Sequence, residues 1–371
     1  MKIVRLGEVA KRANTKEDKD NTDRIYYAAG EHIIPGELRI KEGGLIEGST
    51  IGPMFYFGFK AGQLLLHSRS FMLKKAAVAD FDGICSEKVF VLETIDSNIL
   101  LQEYLPFVVQ NDNFWEYAEE NKSGSVNFFL NWDVVADYEF ELPSIEEQRV
   151  LADKLWAAYE LKEAYKKMIV ATDEMVKSQF IEMFEGDKYP SVKLSDIASE
   201  WLKGQSFRKD DIVDNGNSMC IHYGELFTKY GPIINQVLSR TNVEGKRTSK
   251  VGDILFPASD VTPNGLARCS MLPYDNIILG GDIIVLRPKR DCNAAYLSYA
   301  INQQTAQLLI RVNGAVVKHM SAKALMTVVI PMPPLEEQNR FVSLAQQADK
   351  SKFELRQAID KIDKVMKSLL Q

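Results

Sequence analysis

The sequence is poor in the residues from which metal centres and thiol chemistry are built. Its 371 residues include only four cysteines and four histidines. They are scattered, and neither a C-x-x-C pair nor a helical H-E-x-x-H motif gives them metal-ligand spacing. Isolated thiols are typical of a reducing compartment. We therefore predict no metal site in this chain.

Long hydrophobic runs are also missing. No segment approaches the roughly 18–20 consecutive apolar residues of a membrane span. The first residues, MKIVRLGE, lack the apolar stretch of a signal peptide. The composition is otherwise ordinary for a globular protein, with 46% hydrophobic and 26% charged residues. These features predict a cytoplasmic protein.

The usual nucleotide-binding and catalytic motifs are lacking as well. The chain has neither a G-x-x-x-x-G-K-[ST] loop nor a G-x-G-x-x-G motif after a strand. Residues 331–334 lack the Asn/Asp-Pro-Pro-aromatic arrangement with which adenine-N6 methyltransferases hold a flipped base. The carboxylate pairs Glu146-Glu147 and Glu336-Glu337 lie at predicted helix starts, where they complement the helix dipole. We predict no catalytic residue.

The net charge of −6 is unevenly distributed. Residues 1–143 carry 15 Lys and Arg against 23 Asp and Glu, whereas residues 187–333 carry 17 against 13. The first segment is therefore acidic and the second mildly basic. Because binding depends on the charge of the contacting face, the total charge does not exclude a nucleic-acid ligand.

The chain repeats itself at an offset of about 190 residues. The run LPSIEEQR at 142–149 returns as MPPLEEQN at 332–339, and ten of the forty aligned positions from 142 to 181 are identical. The same offset aligns GSV at 124–126 with GAV at 314–316. A similarity that keeps one register for so long indicates an internal repeat.

Each copy consists of a turn-rich part and a segment almost without glycine or proline. Short apolar runs between glycines predict that the first part is a compact α+β module. The second part predicts a long amphipathic helix. The predicted order is a module at 1–143, a helix at 144–186, a second module at 187–333 and a helix at 334–371.

The two predicted helices carry apolar seams that need a partner. In the second helix the seam is Phe341, Ala348, Leu355, Ile362 and Leu369, and in the first it is Leu151, Leu155, Ala158, Leu161, Tyr165, Met168 and Val176. Ser144 and Glu147 predict a capping box. The second module follows the first helix directly, so the second helix can run back along it. This predicts an antiparallel two-helix coiled coil separating two pseudo-twofold-related globular modules.

Two modules that each end in a Pro…Glu-Glu-Gln junction before a long helix resemble the specificity subunit of a type I restriction-modification system. The junctions are residues 142–148 and 330–338. Further matching motifs lie at 64–69, 81–86 and 123–127 in the first module, and at 252–256, 279–286 and 313–320 in the second. The resemblance covers essentially the whole chain.

The resemblance implies that each module is a target recognition domain that reads one half of a bipartite double-stranded DNA target. The coiled coil would fix the gap between the halves. The chain itself would not be an enzyme. Two modification (methyltransferase) subunits would bring S-adenosylmethionine and methylate adenine N6, and restriction (motor-nuclease) subunits would bring ATP and Mg²⁺. No cofactor is then expected in this chain.

Candidate DNA-contacting residues are polar and basic side chains in loops beside these motifs, because such groups pair with base edges or phosphates. In the first module they are Ser68, Arg69, Lys74, Lys75, Ser125 and Asn127. In the second module they are Arg208, Lys209, His222, Tyr223, Ser259, Thr262, Asn264, Lys318 and His319. Candidate contacts with partner subunits at the helix junctions are Pro143, Glu147, Gln148, Pro333, Glu337 and Gln338.

Three other classes of protein fit parts of this pattern. A stand-alone two-headed DNA-binding regulator would bind its site tightly without partner subunits. A coiled-coil scaffold without a DNA role would lack a basic stripe across both modules. An enzyme of unrecognised type would need a cleft with convergent carboxylates of shifted pKa.

Exchanging residues 187–333 for the matching module of a relative should change only one half of the methylated DNA target. The reason is that the module boundaries fall at the repeated junctions. The measurement is the methylated motif, read by sequencing host DNA with either version of the gene. A change in both halves would show that the modules do not read independently.

Overall fold

The computed structural model describes residues 2–69, 71–186, 188–206 and 208–370. The chain divides into two compact units, Met1–Lys166 with Arg356–Gln371 and Lys167–Leu355. Each unit contains one globular module and a stretch of each long helix. Within the described residues, no helix combines the length and the apolar content needed to cross a membrane.

The first module consists of short strands and short helices. Its strands are β1 (Lys2–Arg5), β2 (Ala10–Arg12), β3 (Tyr26–Ala28), β4 (Arg39–Ile40), β5 (Gly44–Leu45), β6 (Phe55–Phe59), β7 (Leu64–His67), β8 (Ala76–Ala79), β9 (Gly83–Ser86), β10 (Val89–Thr94) and β11 (Glu139–Leu142). Its helices are α1 (Leu6–Val9), α2 (Leu105–Gln110), α3 (Asp112–Glu120) and α4 (Trp132–Ala136). The long helix α5 (Ile145–Phe184) follows.

Two sheets form the body of this module, with strand orders β2-β10-β7-β8-β4 and β5-β3-β9-β6. Leu64 and Leu66 of β7 belong to one apolar cluster and Leu65 to another. Successive strand residues point to opposite faces, so the first sheet is buried on both sides. This burial explains why β7 is a continuous apolar run. The antiparallel pairing of β1 with β11 brings the start and end of the module together.

The second module repeats this plan in its own unit. Its strands are β12 (Ser191–Lys193), β13 (Ala198–Lys203), β14 (Ser218–Ile221), β15 (Ser239–Thr241), β16 (Asp253–Pro257), β17 (Ser259–Asp260), β18 (Ser270–Leu272), β19 (Ile278–Leu279), β20 (Ile283–Pro288), β21 (Lys318–His319) and β22 (Val329–Pro331). Its helices are α6 (Leu194–Ile197), α7 (Glu225–Thr228), α8 (Pro263–Leu266), α9 (Ala294–Gln303), α10 (Thr305–Leu309) and α11 (Ala322–Leu325). The long helix α12 (Leu335–Leu369) follows. The predicted α+β fold of both modules is confirmed.

The strand pairings of the two modules correspond. β12 pairs with β22 as β1 pairs with β11. The main sheet has the order β13-β20-β16-β18. In it Pro257 lies opposite Ile283, as His67 lies opposite Val89 in the first module. The repeat in the sequence is therefore a repeat of structure.

A capping box begins helix α5, as predicted. The Ser144 backbone N–H donates to Glu147 Oε2 at 2.9 Å, and the Glu147 backbone N–H donates to Ser144 Oγ at 3.3 Å. Hydrogen bonds donated by the Ser144 backbone N–H and the Ser144 hydroxyl to the Glu147 carboxylate lower the pKa of that carboxyl. The reciprocal pair satisfies two of the donors that every helix start leaves open.

The buried amide of Gln148 connects α5 to its module. Its Oε1 accepts from the backbone N–H of Leu101 at 2.9 Å, and its Nε2 donates to the carbonyls of Ile99 and Pro143 at 2.9 and 3.0 Å. The side chain is fully buried. One residue therefore satisfies three backbone groups from two loops.

Gln338 connects α12 to the second module in the same way. Its Oε1 accepts from the backbone N–H of Asn293 at 2.9 Å, and its Nε2 donates to the carbonyl of Pro333 at 2.8 Å. This side chain is also buried. The glutamine of the repeated Glu-Glu-Gln motif is thus the internal link between helix and module.

In the first unit, α5 and α12 run in opposite directions. Lys162 Nζ of α5 lies 2.6 Å from Asp363 Oδ1 of α12. Met366 and Leu369, further along α12, pack against an apolar cluster that includes Leu155, which lies earlier in α5. The pairing is therefore antiparallel.

The second unit contains the matching pairing. Lys352 Nζ of α12 lies 2.5 Å from Asp173 Oδ1 of α5. The rings of Phe180 and Phe341 meet edge to face with centroids 5.3 Å apart. From Asp173 to Phe180 the residue numbers in α5 increase, whereas those of the partner residues in α12 decrease from Lys352 to Phe341. This pairing is therefore antiparallel too.

The seam predicted for α12 is confirmed, whereas that for α5 is partly wrong. Leu161 and Met168 were placed in the seam, but their side chains are 45% and 52% exposed. Buried and half-buried residues instead recur at 152, 155, 159, 162, 166, 169, 173, 176 and 180. This set keeps the 3-4 spacing of a heptad. It was missed because positions 162, 166 and 173 carry charged residues.

Gln338→Leu should lower the free energy of unfolding by about 1–3 kcal/mol, because it leaves a backbone N–H and a carbonyl buried without partners. The matched control is Gln347→Leu, an exposed position of the same helix. The control should change stability by no more than about 0.5 kcal/mol. Urea unfolding followed by circular dichroism measures both variants. Equal losses would contradict the proposed link.

Candidate nucleic-acid interface

A loop after α3 closes on itself in the first module. The backbones of Ser123 and Phe129 exchange hydrogen bonds of 2.9 and 3.0 Å. Phe129 also forms a β-bridge with Arg69, just after β7. The segment 68–69 and the loop 123–129 are together named the first loop pair. Main-chain hydrogen bonds hold its shape.

The second module contains the same arrangement. The backbones of Asn313 and His319 exchange hydrogen bonds of 3.1 and 2.8 Å. Ser259 pairs with His319 where β17 meets β21. The segment 259–260 and the loop 313–319 are named the second loop pair. Both repeats fold equivalent segments against each other.

Each loop turns at a glycine that no other residue could replace without strain. Gly124 has a φ of 96° and Gly314 a φ of 102°. A Cβ atom on Gly314 would lie 2.1 Å from the carbonyl oxygen of Val317, and one on Gly124 would lie 2.8 Å from that of Asn127. Glycine is therefore required by both the backbone angle and the space.

The first loop pair brings together four of the candidate DNA-contacting residues. Ser125 and Asn127 are exposed on the loop. The Arg69 guanidinium lies 5.3 Å from the centroid of the Phe129 ring, which orients it beside the loop. Ser68 is buried, and its hydroxyl donates to a backbone carbonyl at 2.8 Å. Ser68 therefore supports the loop pair from inside.

Lys74 and Lys75 lie beyond the first loop pair and have partners within their module. Lys74 Nζ lies 2.8 Å from Asp112 Oδ1. Lys75 Nζ donates to the carbonyl of Gly30. Their role towards DNA stays a prediction.

In the second loop pair, His319 is the exposed candidate. The Lys318 ammonium donates to the carbonyls of Gly314 and Ala315 at 2.8 and 2.9 Å, so it holds the loop closed. Ser259 is only 9% exposed, and its hydroxyl donates to a neighbouring carboxylate at 3.0 Å. Of the three candidates, His319 is therefore exposed, whereas the polar groups of Lys318 and Ser259 form hydrogen bonds within the module.

Thr262 and Asn264 follow the same segment into α8. The Thr262 hydroxyl caps this helix by accepting from the backbone N–H of Gly265 and donates to Asp260 Oδ2 at 2.8 Å. Asn264 is exposed. Helix α8 lies against β17 and β21. These two candidates therefore border the second loop pair.

The remaining candidates lie outside the second loop pair. Arg208 and Lys209 are exposed. The rings of His222 and Tyr223 have centroids 4.3 Å apart. Burial lowers the pKa of the His222 imidazole, while nearby carboxylates, Asp282 among them, raise it and Lys209 lowers it. His222 therefore lies within electrostatic range of Asp282 and Lys209.

Sequence reasoning missed two residues beside the loop pairs, Lys88 and Asp282. The Ser68 backbone N–H donates to the Lys88 carbonyl at 2.8 Å, and the Ala258 backbone N–H donates to the Asp282 carbonyl at 2.8 Å. The two residues are therefore structural equivalents. They were missed because they lie 194 positions apart, so the offset of 190 does not align them.

The six junction candidates divide by exposure. Gln148 and Gln338 are buried in their own modules and bond to the carbonyls of Pro143 and Pro333. Glu147 is exposed and Glu337 half-exposed. The predicted contact of this region with partner subunits stays a prediction. Among the residues that the structure describes, no three His, Cys, Asp or Glu side chains form a group that could hold a metal ion.

One segment of the chain matches a family model, and the whole chain is similar to solved structures. Residues 187–364 match the model of the type I restriction modification DNA specificity domain. The type I restriction-modification system S subunit from M. genitalium has 13% sequence identity and a TM-score of 0.61 over 99% of this chain and 95% of its own. A chain of the structure described as "Structural basis underlying complex assembly and conformational transition of the type I R-M system" has 18% identity and a TM-score of 0.60, over 100% and 96%. The resemblance predicted from the sequence is confirmed, and at these identities the likeness to the solved structures is one of fold.

Gly314→Ala should destabilise the second module by about 1–2 kcal/mol, because a side chain at this φ is strained and its Cβ meets the Val317 carbonyl. The matched control is Gly231→Ala in the same module, where an added Cβ meets nothing within 4 Å. The measurement is the midpoint of urea unfolding of the full chain. Similar midpoints for the two variants would show that the loop tolerates a side chain.

Proposed function

Because residues 187–364 belong to the family of type I restriction modification DNA specificity domains, we propose that this chain is the specificity subunit of a type I restriction-modification complex. It reads DNA and directs partner enzymes to the target without catalysing a reaction. The observation that carries the proposal is the presence of two loop pairs with the same backbone and different side chains.

Each module reads one half of a bipartite target. Ser125 and Asn127 of the first loop correspond to Ala315 and Val317 of the second. A main-chain frame fixes the position of the loop on DNA, while exposed side chains select the bases. Loops that share a frame but differ in side chains suit two half-sites of different sequence.

The paired helices set the gap between the two half-sites. The ion pairs Lys162–Asp363 and Lys352–Asp173 support this role, because each fixes the register of one helix against the other. A helix advances about 1.5 Å per residue, so a fixed register corresponds to a fixed distance along the helix pair.

Catalysis belongs to partner subunits. Two modification subunits supply S-adenosylmethionine and methylate adenine N6, and restriction subunits supply ATP and Mg²⁺. The exposed carboxylate of Glu147 and the half-exposed one of Glu337, at equivalent positions of the two repeats, suit a partner that binds twice. Two copies of one modification subunit meet that condition.

The test of this function is a matched insertion into both helices. Four helical residues are added after residue 167 and four after residue 357, between the two ion pairs, so that both pairs can still form. The addition lengthens each helix by about 6 Å and rotates it by roughly 40° beyond a full turn. Since a base pair advances about 3.4 Å and turns about 35°, the gap of the methylated motif should grow by one or two base pairs.

The readout is the methylated motif in cells that carry the modification subunit, with the outer bases expected to stay the same. A control replaces four exposed helix residues without changing the length, and it should keep the original gap. An active insertion variant that also keeps the original gap would show that the helices do not measure distance. Wild-type cells without any bipartite methylated motif would refute the specificity-subunit proposal itself.

A further inference from the structure

The two loop pairs have the same backbone but opposite charge at one pair of positions. Arg69 and Ser259 are equivalent, because each bridges the closing residue of its loop, Phe129 and His319 respectively. Lys88 and Asp282 are equivalent through the backbone hydrogen bonds described above and through the strands β10 and β20 that follow them. Two cations in the first module are therefore replaced by a hydroxyl and a carboxylate in the second.

In the first module these cations face one open cleft of about 530 Å³. Arg69, Lys88 and Asn127 line it together with apolar side chains, and none of its lining residues is acidic. Lys88 is exposed. The neighbouring Val126 is 84% exposed, so apolar surface adjoins the cations. The cleft offers hydrogen-bond donors and positive charge next to a methyl-binding surface.

In the second module the same place offers an acceptor. The Ser259 hydroxyl donates to Asp282 Oδ2 at 3.0 Å, which orients the carboxylate, and no described residue forms a hydrogen bond with its other oxygen. Asp282 is half-exposed. Asp260, the next residue of β17, adds a second carboxylate to the same loop pair. At the position of Lys88 the second module therefore carries a carboxylate in place of an ammonium.

Phosphate binding does not account for this inversion. The phosphate backbone is the same in both half-sites, and a carboxylate beside it would be repelled. What differs between half-sites is the pattern of donors and acceptors on the base edges. Positions that change sign on a constant frame therefore face bases.

We infer that Arg69 with Lys88, and Asp282 with Ser259, are the specificity-determining positions of the two modules. Arg69 and Lys88 read the acceptor edge of a guanine, O6 and N7, in one half-site. Asp282 accepts from the amino group of a cytosine in the other half-site. These assignments follow the pairing of Arg and Lys with guanine and of Asp with cytosine N4 in the major groove. The inference rests on the proposed function and names what each module selects.

The test exchanges the two pairs. One variant is Arg69→Ser with Lys88→Asp, and the reciprocal variant is Ser259→Arg with Asp282→Lys. Each is expressed with the partner subunits in cells that lack the wild-type gene, and the methylated motif is sequenced. The first variant should lose about ten- to a hundredfold of its preference for guanine at one position of one half-site. The reciprocal variant should gain a guanine preference in the other half-site.

The matched control makes the same change of charge in β2 and in the turn between β6 and β7. It is Lys11→Ser with Lys60→Asp, two exposed residues of the first module outside the loop pair. This control should keep the motif unchanged. Because the double variants replace several contacts, Arg69→Lys and Asp282→Asn are tested as single conservative variants, with thermal unfolding as the check on folding. Arg69→Lys should relax selection at the guanine of one half-site, and Asp282→Asn at the cytosine of the other.

The outcomes separate the inference from the proposed function. If the wild-type chain directs methylation of a bipartite motif and the exchanged and conservative variants keep that motif, the inference is wrong. Weaker methylation of all sites alike, with a smaller salt dependence of DNA binding, would place Arg69 and Lys88 on phosphates and would also overturn it. If the wild-type chain directs no bipartite methylation, the proposed function fails first.

Discussion

The side-chain amide of Gln148 occupies a buried position where two loops of the first module meet a helix. A buried backbone N–H or carbonyl without a partner costs about 1–3 kcal/mol, so the loops and the helix must meet wherever this amide can reach them. Gln338 imposes the same geometry on the second module. The helix direction, the closed module and the position of the loop pair on it all depend on this junction.

The long helices add a second constraint, which concerns register more than stability. In each of the pairs Lys162–Asp363 and Lys352–Asp173 the lysine is mostly buried but the aspartate is 48% exposed. Such partly exposed pairs contribute roughly 0–1 kcal/mol. A charged residue in an otherwise apolar seam nevertheless disfavours every register that leaves it without its partner. Each pair joins the lysine of one repeat to the aspartate of the other. The register of the helix pair therefore depends on residues of both repeats.

Much of this fold follows from the sequence, because the repeat, the glycine-free segments and the capping box are local signals. The seam of α5 was not predictable in the same way. A search for apolar residues cannot find a seam that runs through Lys162 and Asp173, since their burial depends on partners in the distant helix α12. The antiparallel direction was predictable, because only a short connection separates α5 from the second module.

Part of the candidate site was named from the sequence, because Arg69 bridges the loop that carries Ser125 and Asn127. The contact of these residues with DNA stays a prediction. Lys88 and Asp282 were missed because a four-residue difference in spacing hides their equivalence. Strand pairing, which depends on contacts distant in the sequence, reveals it. Lys318 shows the converse, because a basic loop residue can be engaged in holding its own loop.

The loop pairs are held by main-chain hydrogen bonds and one obligatory glycine each, whereas most of the side chains they display point outwards. Substitutions at the displayed positions therefore leave the free energy of folding almost untouched. During evolution the side chains displayed on this frame can therefore change many times without passing through a variant that fails to fold. The two frames in one chain also vary separately, so the number of accessible combinations is the product of the two sets. The architecture favours rapid diversification of recognition at almost constant stability.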